Sequence, residues 1–76
     1  MSRIDKIIQK MKNRPNGMRF DEVKQVLEHH GYTMTEQNGT SHCHFRKAGE
    51  PRPITIKKDN PLKSGYVRSV LERIGE

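Results

Sequence analysis

The chain has 76 residues, 30% of them hydrophobic, with no Trp and a formal net charge of +6. A chain this short buries only about 60% of its unfolded surface, which means one domain with a thin core and no spare interior for a deep cofactor pocket. The positive balance favours an anionic partner, nucleic acid first, because Lys and Arg displace condensed counterions from phosphates; an acidic protein partner is the other class. Cys43 is the single cysteine, which excludes an internal disulfide and a Cys-rich zinc site. No apolar leader and no stretch of membrane-spanning length are visible, so a soluble cytoplasmic protein without a membrane partner is expected.

Ser2 and Asp5 have the spacing of a capping box, and Ile4, Ile7, Ile8 and Met11 recur at helical intervals. They predict an amphipathic helix over 2–13, closed by the loop Asn13-Arg14-Pro15-Asn16-Gly17. This loop divides the chain into an N-terminal helix and linker, 1–17, and a domain over 18–76. A second helix is expected over 20–30, with Phe20, Val23, Val26 and Leu27 as its apolar stripe. Asp21 and Glu22 suit its first turn, His29 and His30 its last, and Gly31 its C′ position.

Tyr32 to Gln37 alternates as a strand, with Thr33, Thr35 and Gln37 outward. Asn38-Gly39 is a hairpin turn signal. The strand after it places Ser41, Cys43 and Phe45 on one face and His42, His44 and Arg46 on the other. Two imidazoles and a guanidinium on the polar face of a basic domain point to a site that handles phosphate, with His42 as its first candidate. Ala48 to Pro51 makes a second turn, and Pro53 to Lys57 a third strand with Ile54 and Ile56 inward. A last helix is expected from an N-cap at Ser64, burying Tyr66, Val67, Val70, Leu71 and Ile74. Without the first helix the order is α-β-β-β-α. This is an α+β domain: a three-stranded antiparallel sheet with helices on one face, resembling the double-stranded-RNA-binding fold, plus an extra N-terminal helix.

Four segments carry a closer resemblance. They are Phe20-Asp21-Glu22 through Leu27 to Gly31-Tyr32; Gly39-Thr40-Ser41-His42; Phe45-Arg46-Lys47; and Pro61-Leu62-Lys63-Ser64-Gly65-Tyr66-Val67 leading to Val70-Leu71. In this order the chain resembles the HicA (YcfA-like) toxin family. The resemblance implies a metal-independent endoribonuclease that cleaves mRNA, is inhibited by a HicB-type antitoxin protein, and forms a higher-order complex with it. The family's catalytic His maps to His42, and the Gly and Ser of its motif to Gly39 and Ser41. The sequence departs from the family in two places. Thr40 lies between Gly39 and Ser41, and Lys57 and Lys58 stand where many relatives have Pro followed by His.

The implied chemistry needs no cofactor. An imidazole that titrates near physiological pH serves as general base, and RNA supplies its own nucleophile in the 2′-hydroxyl. Arg46, Lys47, Lys57 or Lys58 would stabilise the developing negative charge, and Lys63 extends the basic surface available to RNA. His44 is the candidate acid for the leaving oxygen. Two other readings compete with catalysis. One is a non-catalytic RNA-binding module of the same fold. The other joins His42 and His44 as metal ligands at i, i+2, with a third ligand to come from a distant segment such as Asp59, none being clearly placed.

Overall fold

A computed structural model describes residues 2–37 and 42–76. Helix α1 spans Arg3–Asn13, a 3₁₀ turn Pro15–Gly17, and helix α2 Phe20–His29. Strands β1, β2 and β3 span Thr33–Gln37, His42–Arg46 and Ile54–Lys57, and helix α3 spans Ser64–Arg73. The sheet is antiparallel in the order β1-β2-β3, so β2 is central and β3 is an edge. The fold is the expected α+β, double-stranded-RNA-binding-like architecture. Among the described residues, no helix is long and apolar enough to cross a membrane.

Local signals explain most element ends. Ser2 Oγ accepts from the Asp5 amide at 3.2 Å, and Asp5 Oδ2 from the Ser2 amide at 3.4 Å, completing the capping box of α1. Gly31, at φ +90°, ends α2 in the left-handed region that favours glycine. His30 is tied into that same end, its Nδ1 donating to the Val26 carbonyl at 2.8 Å. The Asn38-Gly39 turn lies outside the described residues.

The sequence and the structure differ in capping, in register and in the burial of α3. The expected cap, Ser64, is the first residue of α3, and Lys63 holds the cap position without a side-chain cap bond. The turn closes one residue early because the Tyr66 amide donates to the Lys63 carbonyl at 3.1 Å. The alternation expected through Gln37 also breaks. Met34 pairs with Phe45, but Glu36 pairs with His44 and Gln37 with Cys43, so Thr35 is a bulge. An extra residue in one strand reverses the parity beyond it.

One apolar core joins all the layers. Cys43, Phe45, Ile54 and Ile56 from the sheet meet Phe20, Val23, Val26 and Leu27 from α2 and Val67 and Val70 from α3. Phe20 and Phe45 pack ring to ring at 6.2 Å. Ile7, Ile8 and Met11 of α1 are buried in the same core, as is Met18. Each such side chain contributes about 1.5–3 kcal/mol on burial. Tyr66, Leu71 and Ile74, expected inside, are half-buried and pack against the rim of this core. Two connections frame this end of the molecule. The Leu62 amide donates to the Met18 carbonyl at 2.8 Å, and the Phe20 amide to Asn60 Oδ1 at 3.2 Å.

Candidate nucleic-acid interface

Cys43 and Phe45 are fully buried, and this orientation of β2 turns His42, His44 and Arg46 to the face away from the helices. That face is open, with Thr33, Thr35, Arg46 and Thr55 exposed and His42, His44 and Lys57 half-buried. The two imidazoles therefore stand on the most constrained strand of the sheet, held in register on both sides.

The register decides which cations reach His42. Lys57 is its direct partner across β3. Directly opposed residues have Cβ atoms about 4.5–5.5 Å apart, so the two side chains leave the sheet as neighbours. His44 pairs with Thr55, and its Nδ1 shares a hydrogen bond with Thr55 Oγ1 at 2.9 Å. His42 and His44 are two residues apart on one strand, roughly 7 Å along it, a span that brackets one phosphate group.

The other predicted cations are spread out. Arg46 is exposed at the far end of β2, about 13 Å along the strand from His42. The Lys47 ammonium lies over the Tyr32 ring, 5.5 Å from its centroid, and its stem runs past Gly31. The Lys58 ammonium lies over the Phe20 ring at 5.4 Å, on the helix side of the sheet. Lys63 is exposed at the start of α3, where it lines a groove with Gly65, Tyr66 and Ser69. The structure thus brings His42, Lys57 and His44 together and separates Lys47, Lys58 and Lys63 from them. Gly39 and Ser41 lie outside the described residues. Among the described residues, no group of three or more His, Cys, Asp or Glu is placed to hold a metal ion.

Thr55 is the functional neighbour that sequence reasoning passed over. Alternation puts it on the open face, but only cross-strand register shows that it meets His44 and not His42.

The family model described as "HicA toxin of bacterial toxin-antitoxin" matches residues 20–76. No curated protein and no solved structure matches the chain. The matched segment begins at the first residue of α2 and takes in the whole sheet and α3.

Proposed function

The chain belongs to the HicA toxin family of bacterial toxin–antitoxin systems, and from that premise we propose that it is an endoribonuclease that cleaves mRNA with His42 as its catalytic residue. The observation that carries this reading is the pairing of His42 with Lys57 on an open sheet face. A base for the 2′-hydroxyl and a cation for the phosphate are adjacent there.

In this mechanism an RNA strand lies across the open face. His42 accepts the 2′-hydroxyl proton as that oxygen attacks the neighbouring phosphorus. Lys57 offsets the negative charge that gathers on the phosphoryl oxygens. His44, with Nδ1 engaged by Thr55, delivers a proton from its other nitrogen to the departing 5′-oxygen. The O–P bond to the 2′-oxygen forms as the bond to the 5′-oxygen breaks. The products are a 2′,3′-cyclic phosphate and a 5′-hydroxyl. DNA, lacking the 2′-hydroxyl, is not cut.

The partner is a HicB-type antitoxin in the cytoplasm. It would cover the His42 face and deny RNA access to Lys57.

The test is incubation of a long unstructured RNA with the protein in excess EDTA, beside His42→Ala. We expect cyclic-phosphate and 5′-hydroxyl ends from the wild type and a loss of about 10²- to 10⁴-fold in the variant. RNA that is bound by both proteins and cut by neither, with or without added divalent metal, would refute catalysis in favour of a binding module.

A further inference from the structure

The net charge is concentrated at one end of the chain. Residues 1–19 contain six of the fifteen Lys and Arg but one of the nine Asp and Glu. They account for +5 of the net +6, leaving residues 20–76 at +1. The segment matched by the family model is thus nearly neutral, and the basic character belongs to α1 and its connection to α2.

That connection forms the wall of a cleft of about 440 Å³, lined by Lys10, Gly17, Arg19, Asn60 and Pro61. Arg19 is exposed, and its charge, like that of Lys10, acts on Glu22. Lys10 is shared, its ammonium 2.9 Å from Glu22. The cleft is framed by the bond from the Phe20 amide to Asn60 and by that from the Leu62 amide to Met18.

A short stretch of chain links the cleft to the catalytic candidates. Lys57 faces His42, and Asn60 follows only three residues later. Between them Lys58 rests over the ring of Phe20, the residue next to Arg19. The chain thus carries one cation on the open face, Lys57 beside His42, and a second, Lys58, over the ring next to Arg19 on the helix side.

We propose that this cleft holds a backbone phosphate of the same RNA strand, one or more nucleotides away from the bond cut at His42, with Arg19 as its ligand. A guanidinium forks onto phosphate oxygens more specifically than an ammonium does. The site deepens the ribonuclease reading and rests on it for the identity of the strand. The connection from α1 to α2 then has a task beyond linking them: it carries the grip that the near-neutral family segment lacks.

The experiment measures binding of the full chain to a 2′-O-methyl oligonucleotide, which cannot be cut, by fluorescence anisotropy across a salt series. Three variants are compared. Arg19→Gln removes the ligand. Gly17→Glu places a carboxylate in the cleft, where an added Cβ meets nothing within 4 Å. Arg52→Gln removes the same charge at the opposite end of β3. We expect Arg19→Gln to bind about tenfold more weakly, with the salt slope reduced by roughly 0.7, one single-strand phosphate contact. Gly17→Glu should bind more weakly still, and Arg52→Gln like the wild type. Wild-type affinity in Arg19→Gln and Gly17→Glu, or equal losses in Arg19→Gln and Arg52→Gln, would overturn the site. If the wild type cleaves RNA while these variants bind normally, only the cleft proposal fails. If the wild type neither binds nor cleaves, the ribonuclease reading fails with it.

Discussion

Met11→Ala probes whether α1 is part of the domain that carries the site. Met11 is 0% exposed, in the same core as Phe45 and Val67. Truncating a fully buried Met to Ala costs about 2–5 kcal/mol, the transfer term plus the cavity left behind. Marginal stability of 0.05–0.15 kcal/mol per residue places a 76-residue chain at about 4–11 kcal/mol in total. The variant should therefore lose about a fifth or more of its stability and melt at least about 8 °C lower. The assay is urea denaturation, with helix content followed by circular dichroism and the β2 amides by NMR. Both probes should shift together to a lower midpoint. An unchanged midpoint, or loss of helix signal in a separate transition that leaves β2 intact, would refute the argument that α1 and the sheet share one cooperative core.

Two further outcomes follow from the site and its supports. Thr55→Val keeps the shape of the side chain but removes the hydrogen bond to His44, worth about 1 kcal/mol, so RNA cleavage should slow about fivefold; an unchanged rate would remove His44 from the proton transfer. For Glu22, burial works against ionisation, but the Lys10 hydrogen bond, the Arg19 amide and the nearby charges outweigh it and hold the carboxyl below its ordinary value. The ionised form therefore stabilises the fold above the ordinary carboxylate range, and this is lost as pH falls through the lowered value. Glu22→Gln should be about 0.5–1 kcal/mol less stable at pH 7, a gap that closes in acid; a gap independent of pH would contradict it.

What the sequence determined was the set of elements and their inward faces. Helical spacing at Ile4, Ile7, Ile8 and Met11, the capping pair Ser2 and Asp5, and alternation around Cys43 and Phe45 are local patterns, and local physics is enough to read them. The same alternation put His42 and His44 on one outward face, and the ordered motifs carried the family resemblance. The tertiary structure decided everything that depends on register and on the meeting of distant segments. A bulge at Thr35 changes which residues of β1 oppose β2, and no composition rule announces it. Lys57 stands beside His42, and Thr55 beside His44, because two strands pair at one offset among several that their patterns allow. Lys47 and Lys58 looked equivalent to Lys57 in sequence, yet their ammonium groups sit over the Tyr32 and Phe20 rings. The cleft beside Arg19 takes part of its wall from Asn60, forty residues on, which accepts from the Phe20 amide. Side-chain periodicity is set along the chain, whereas the neighbours of a surface charge are set by how the chain folds back on itself.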